Sequence, residues 1–294
     1  MIPQIITLDI ETGLDEQAAA ACHYRPAIEP VADSRSVPFA PIPLHRIVCV
    51  SIMRNRERGQ QRIAEGFDLV SFHLGRMSEA DIIRAVDAKL AEVTSDQVAI
   101  ITYNGRSFDA PVLMARAMVH GVFDARHIAR LAGASRYDDG RHIDVADMLS
   151  NYGAASRCTL AQACAPLGIP VKTGAAGTSV AALAAAGRYA EIAEYCEADV
   201  TATWLLAQHV RAIKMQRSAL SVAQGWLSLA EWIEEGGKKR AHLRPLAERS
   251  LVEAARDRVA DYWDGPENWH AHMDSIFESR PDGWVGHRPQ KEVR

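Results

Sequence analysis

Ile6, Leu8 and Ile10 alternate with Thr7 and Asp9, a period of two that predicts a strand over 4–10. The run Arg46-Ile47-Val48-Cys49-Val50-Ser51-Ile52-Met53 predicts a second strand over 46–53. Between them Pro26, Pro30, Pro38, Pro41 and Pro43 deny regular pairing to a long loop, roughly 14–43. A weaker strand expected near 60–66 would complete an antiparallel meander. Ser78 then opens a helix, with Asp81 three residues on and Ile82, Ile83, Val86 and Leu90 at helical spacing. Residues 98–103 form a short apolar run that reads as a buried strand. After it Asn104 and Gly105 turn the chain, Pro111 suits a helical first turn, and Gly121 follows the last turn as a stop.

From residue 142 onward the pattern is predominantly helical, with short helices expected near 144–150, 159–166 and 178–186 and a long one from about 189 to 215. Near residue 216 the character shifts to scattered tryptophans (Trp226, Trp232, Trp263, Trp269, Trp284) and mixed charge, with helices expected near 218–235 and 245–262. After Pro281 the chain is expected to be extended or disordered. The expectation is an α/β fold: a mixed sheet, meander plus parallel strands, flanked by helices over 1–215, with a helical C-terminal extension over 216–294.

Composition narrows the class. With 48% hydrophobic and 24% charged residues the chain is neither a disordered tail nor a fibrous repeat, and nothing in it calls for a membrane. Met1 to Gln4 lead straight into the first strand without a basic segment or cleavage site, so no secretory signal is expected. Five cysteines with no CxxC pair argue against a disulfide framework and for a reducing cytoplasm. A net charge of −4 tells against a protein that coats duplex nucleic acid. An enzyme gripping a few terminal nucleotides needs only a local basic rim.

The candidate chemistry lies in acids. Strand side chains at i and i+2 leave one face, so Asp9 and Glu11 point together from the end of the first strand. Taken alone they read as exposed strand-end acids. In a central strand two like charges are costly unless a cation holds them. Asp109, in Asn104-Gly105-Arg106-Ser107-Phe108-Asp109, sits at a strand-to-helix turn, where it reads equally as a helix cap or a ligand. Tyr195 and Asp199, at i and i+4, share one helical face. Together Asp9, Glu11, Asp109 and Asp199 offer the hard oxygen ligands that two Mg²⁺ or Mn²⁺ ions require, with Tyr195 placed to orient or help deprotonate the attacking water of a phosphodiester hydrolysis.

The order Asp9-x-Glu11, Asn104-x-x-x-Phe108-Asp109, Tyr195-x-x-x-Asp199 resembles the three motifs of the DEDD 3′-5′ exonucleases, in the subgroup with tyrosine in the third motif. More closely, the chain is similar to bacterial predicted exonucleases related to the proofreading domain of family B DNA polymerases. His45-Arg46-Ile47-Val48, Arg141-His142-Ile143-Asp144 and Leu167-Gly168-Ile169-Pro170-Val171-Lys172-Thr173-Gly174 add to the likeness, which covers about 3–215. The resemblance implies a ribonuclease-H-like fold, two divalent cations, and removal of nucleotides from the 3′ end of DNA, preferably single-stranded. It implies that Thr12 and Gly13 approach the terminal nucleotide through their backbone, that Asn104 contacts substrate, and that Phe108 packs beside it; for Phe108, core packing is the even alternative. Lys172 is a candidate phosphate contact or an ordinary loop lysine. His142 and Asp144 lack a companion at zinc-ligand spacing and read as supporting residues.

Arg54, Arg56, Arg58 and Arg106, with Arg136 and Arg141, either line a single-strand track or form a solvated surface. The run Lys238-Lys239-Arg240-Ala241-His242-Leu243-Arg244 reads as a connecting loop. Rival readings are a 3′-5′ exoribonuclease with the same metal core, a binding module without turnover, and a tail that recruits a repair or replication protein.

Overall fold

A computed structural model describes residues 4–25, 40–58, 63–92, 99–137, 142–171, 180–214, 219–248, 251–255 and 257. Strand β1 (Gln4–Leu14) runs antiparallel to β2 (His45–Arg58), which pairs antiparallel with β3 (Ile63–His73). On its other side β1 runs parallel to β4 (Ala99–Thr102), and β4 parallel to β5 (His142–Asp144). The order β3-β2-β1-β4-β5 is the mixed sheet, antiparallel meander plus parallel strands, that the sequence pattern predicted. Helices α1 (Glu16–Ala21), α2 (Glu79–Ala91), α3 (Asp109–Val119), α4 (Arg126–Ala132), α5 (Val145–Leu149), α6 (Leu160–Cys164), α7 (Val180–Ala185), α8 (Tyr189–Lys214) and α9 (Ala219–Gly236), with 3-10 segments at Ile42–Leu44, Ala165–Leu167 and Gly237–Ala247, complete the described elements.

The central place of β1 follows from its sequence. Ile5, Ile6, Thr7 and Leu8 are all buried, as expected of a strand covered on both faces. Ile6, Leu8 and Ile10 pack on one side with Ile82, Ile83 and Val86 of α2 and Val112 and Leu113 of α3. The odd positions face α8, whose buried Trp204 donates to Asn55 Oδ1 at 2.9 Å and meets Phe67 edge-on at 5.0 Å. Among the described residues no helix is long and apolar enough to cross a membrane.

Several local expectations need correction. The proline-rich stretch is not loop throughout: Asp15 accepts from the Ala18 amide at 3.0 Å and caps α1, while residues 26–39 lie outside the described residues. Neither α4 nor the three-residue β5 was expected, and β1 runs four residues further, past a register shift between Glu11 and Thr12. Over 237–247 the chain forms 3-10 turns broken at Arg240, and beyond 257 the tail lies outside the described residues. The expected boundary at 215 adjoins residues 215–218, also outside them. Beyond it α9 joins the same core: Trp226 donates to the Leu246 carbonyl at 2.9 Å, and Trp232 packs on Phe67 at 5.6 Å.

One buried ionic group ties the end of the sheet to its helices. Glu79 accepts from the Ile47 amide at 2.8 Å, from Arg116 at 2.7 and 2.8 Å, and bonds His120 at 2.8 Å; Arg116 also reaches Asp15 at 2.7 Å. Removing one partner leaves a buried charge uncompensated. Arg116→Met should therefore cost about 3–5 kcal/mol in urea unfolding; an unchanged midpoint would show the network to be dispensable.

Candidate active site

The odd positions that bury Ile5 and Thr7 bring Asp9 and Glu11, half-buried, beneath α8, opposite Ser51 and Cys49 of β2. Immediately afterwards the register shifts by one residue, Glu11 pairing with Cys49 and Thr12 with Ile47, so that Val48 of β2 is the extra residue. Asp109 opens α3 and is buried; its carboxylate accepts hydrogen bonds from its own amide and from that of Ile10. Tyr195 and Asp199 lie one turn apart on α8 and hydrogen-bond to each other. Between them Cys196 turns inward and its thiol lies 3.4 Å from the Asp9 carbonyl and 3.5 Å from Asp9 Oδ2. Asp9, Glu11 and Cys196 bring potential ligand atoms within 4.8 Å of one another.

The electrostatics is that of acids held too close together. Burial, then the charges of Asp199 and Asp109, push the Glu11 carboxyl up to about 8. Burial raises Asp109 to about 7, with Asp144 adding to the rise and two backbone hydrogen bonds opposing it. Asp9 is raised well above the carboxylate range by burial and by Asp109, Glu11 and Asp199, which the Cys196 contact only partly offsets. The Tyr195 phenol is likewise pushed up, by burial, Asp199 and Glu11. The structure thus brings all five sequence-predicted residues into one electrostatic cluster. Asp9, Glu11 and Asp109 resist ionising unless positive charge arrives, and the oxygen-rich donor set fits a hard divalent cation.

Around this cluster Thr12 Oγ1 and His45 Nδ1 are 2.9 Å apart, and His45 Nε2 lies 2.9 Å from the Ala40 carbonyl. A neutral His45 that donates to the carbonyl must accept from Thr12, which fixes its tautomer. Phe108 meets the His45 ring edge-on at 4.8 Å and is partly buried against the α2–α3 core, so its packing role is real. At Gly13 an added Cβ would meet only Val48, at 3.6 Å, so packing does not require glycine there. Lys172 lies outside the described residues.

The Asn104–Asp109 turn is built by Asp144. Its carboxylate accepts from the amides of Asn104 and Arg106, both at 2.9 Å, and from those of Ala146 and Asp147 at the start of α5. Asn104 adopts a left-handed φ of 64°, and its side-chain oxygen accepts from Arg157. His142 bonds Thr102 Oγ1 at 2.8 Å, and burial, then Arg106, lower its pKa to about 3. Both residues support the turn, as their sequence context suggested. Gly105 has a packing reason: a Cβ there would lie 2.4 Å from Thr102 Oγ1. Gly105→Ala should cost about 1–3 kcal/mol by overpacking, and Thr102→Ala in the same chain should recover part of it; equal melts for the single variant and the wild type would refute the close contact.

Sequence reasoning missed Cys196, read only for disulfides, and Arg157, which no local pattern singled out. Arg54 belongs elsewhere: it pairs with Glu92 at 3.0 Å and Asp68 at 3.3 Å, toward the other end of β1. In the basic run, Arg240 lies over Trp232 at 3.5 Å and His242 is 2.7 Å from Glu197 of α8.

Residues 37–249 match the family described as predicted 3′-5′ exonucleases related to the exonuclease domain of PolB, a span that holds Asp109, Tyr195 and Asp199 but begins after Asp9 and Glu11. No curated protein matches the sequence. Among solved structures, the family B DNA polymerase of the hyperthermophilic archaeon Pyrobaculum calidifontis is 18% identical with a TM-score of 0.49, covering 81% of this chain and 29% of that one. E. coli exonuclease I in complex with a dT13 oligonucleotide is 13% identical with a TM-score of 0.35, covering 81% and 44%. Exonuclease I from Methylocaldum szegediense is 16% identical with a TM-score of 0.36, covering 83% and 50%. The chain thus spans half or less of each of these structures.

Proposed function

Because the chain belongs to the family of predicted 3′-5′ exonucleases related to the exonuclease domain of PolB, we propose that it hydrolyses phosphodiester bonds one nucleotide at a time from the 3′ end of single-stranded DNA. The observation that carries this reading is the convergence of Asp9, Glu11, Asp109 and Asp199, three of them with carboxyls raised by burial and one another. In this reading the four acids hold two divalent cations, Mg²⁺ or Mn²⁺, and the chain is of the DEDD type with tyrosine in its third motif. Bound there, such cations make water nucleophilic at neutral pH and neutralise charge on the attacking and leaving oxygens.

The chain's own residues do the rest. Tyr195, hydrogen-bonded to Asp199 and with its phenol pushed upward, keeps its proton at neutral pH. It orients the attacking water as a hydrogen-bonding group. Asp144 and Gly105 hold the turn that aims Asp109. Thr12 and Gly13, at the end of β1 past the register shift, face the terminal nucleotide through their backbone, and the Phe108–His45 pair walls one side. Asn104 contacts the strand from its left-handed position. Residues 219–248 brace α8 through Trp226, beside His209, and His242, beside Glu197, as an extension of the catalytic unit over 1–215.

The test is a 5′-labelled single strand incubated with Mg²⁺ or Mn²⁺, with RNA of the same sequence in parallel. The expected result is stepwise shortening of DNA that stops in chelator. Shortening of RNA alone would reassign the substrate, and no shortening of either strand in either metal would remove the enzymatic reading.

A further inference from the structure

Beside the Asn104–Asp109 turn lies a cavity of about 210 Å³ lined by Arg106, Ser107, Leu131, Arg136 and Asp147. Asp147 is buried, and three guanidinium groups converge on it: Arg136 at 2.7 Å, Arg157 at 2.5 Å and Arg106 at 3.6 Å. Arg157 also reaches Ser107 Oγ at 3.0 Å and bonds Asn104, so it spans from Asp147, in the cavity wall, to the turn that carries Asp109. Guanidinium groups stay charged at any working pH. Three positive charges thus meet two carboxylates, Asp147 and the hydrogen-bonded Asp144, an excess that favours an anion. The planar donor forks of Arg136 and Arg157, both partly exposed, suit a phosphate's oxygens.

An aromatic surface adjoins it. Tyr137, next in the chain to Arg136, is 73% exposed, far beyond what packing requires of an aromatic ring. Its ring lies 5.1 Å from that of Tyr152, over which Lys214 sits at 4.9 Å. Tyr152 is itself held firmly: it sits at a left-handed φ of 57° and its amide donates to the Asp147 carbonyl at 2.6 Å. Arg136 reaches the same loop, its Nη2 lying 3.3 Å from where a Cβ of Gly153 would be. A cationic groove beside an aromatic platform is the arrangement by which proteins hold unpaired strands: phosphate on the charges, base on the ring.

We propose that Arg136, Arg157 and Tyr137 form a subsite for a nucleotide lying upstream of the scissile bond on a single strand, its phosphate in the arginine-lined cavity and its base against Tyr137. The inference rests on the exonuclease reading above and adds a second point of grip to it. It takes a phosphodiester of the strand, in preference to the free phosphate of a released mononucleotide, because the cavity adjoins an aromatic platform and the turn leading to the carboxylates.

The experiment measures binding of a fluorescein-labelled oligothymidylate in chelator over a range of KCl concentrations, by anisotropy. For single strands each neutralised phosphate contributes about 0.7 to the slope of log K against log salt. Arg136→Gln and Arg157→Gln should each reduce the slope, by up to that amount singly and by no more than it together, and Arg136→Lys should retain it. Tyr137→Ala should weaken binding about 5- to 100-fold with the slope unchanged. Circular dichroism melts check that each variant is folded, and the Lys variant separates charge from structure. Unaltered slopes in the Gln variants, while the wild type shortens the strand, would overturn the subsite and leave the enzyme standing. Loss of thymidine monophosphate binding without a change in oligomer slope would place a free phosphate there and likewise overturn it. A wild type that neither binds nor shortens the strand would overturn both readings.

Discussion

Replacing Asp9 by asparagine is expected to slow strand shortening by about 10³-fold or more, while raising the melting temperature of the protein held in chelator. The first effect follows from cation binding. Metal-assisted charge stabilisation is worth several kcal/mol in a hydrolytic transition state, and each 1.36 kcal/mol is about tenfold in rate. The second effect follows from the environment of Asp9, which is raised well above the carboxylate range by burial and by the charges of Asp109, Glu11 and Asp199. An amide of the same shape is buried neutral, so folding at neutral pH no longer bears the cost of protonating that acid among its neighbours. Sites kept for function at the expense of stability give this paired outcome. Asparagine that slows turnover and also lowers the melting temperature would instead mark Asp9 as a structural residue.

The second large effect concerns pH in the absence of metal. The Glu11 carboxyl rises from 4.5 to about 8 in the folded protein, and that of Asp109 from 3.8 to about 7. In the unfolded chain both lose their protons near pH 4, whereas the folded protein retains them. Between those limits the unfolded state binds fewer protons, so stability falls as pH rises. The contribution of these groups is fully present below about pH 4 and is lost progressively toward pH 7–8, by up to about 1.4 kcal/mol per pH unit for each retained proton. Melting curves in chelator from pH 5 to 8 should therefore decline, and saturating Mn²⁺ should flatten the decline because the cation replaces the protons. A profile rising with pH, or one unmoved by metal, would show that the acids do not form a shared site.

How much of this was legible in the sequence depends on what each residue's position is set by. The first strand was readable because Ile6, Leu8 and Ile10 alternate, and the same alternation placed Asp9 and Glu11 on one face. Helix α2 announced itself through the Ser78 cap and four apolar positions at helical spacing. Strand β5 spans three residues, too few to show a period, and the alanine-rich α1 carries no amphipathic pattern ahead of the prolines that follow it. The extended run of β1 past Glu11 depends on pairing of Thr12 and Gly13 with Ile47 and Arg46, a long-range contact without local signal.

The candidate site divides in the same way. Its acids stand in three short motifs whose spacing carries chemistry, so the order of residues along the chain is enough to collect them. Cys196 stands inside the third motif, and helical geometry alone could have turned it toward β1. The arginine cavity is tertiary throughout: Arg106, Arg136 and Arg157 come from separate turns and meet only because Asp147 is buried between them. His242 shows the reverse case, a residue in what read as a basic connecting loop that instead reaches back to Glu197 on α8.

The claim on which the account stands is that Asp9, Glu11, Asp109 and Asp199 together hold divalent cations. Manganese titration followed by the electron paramagnetic resonance of the free ion tests it without reference to any substrate. The wild type should remove about two Mn²⁺ ions per chain from the free signal, and Asp9→Asn, folded and at least as stable in chelator, should remove fewer and bind them more weakly. Identical titrations for the two proteins, or no Mn²⁺ bound by the wild type, would contradict it.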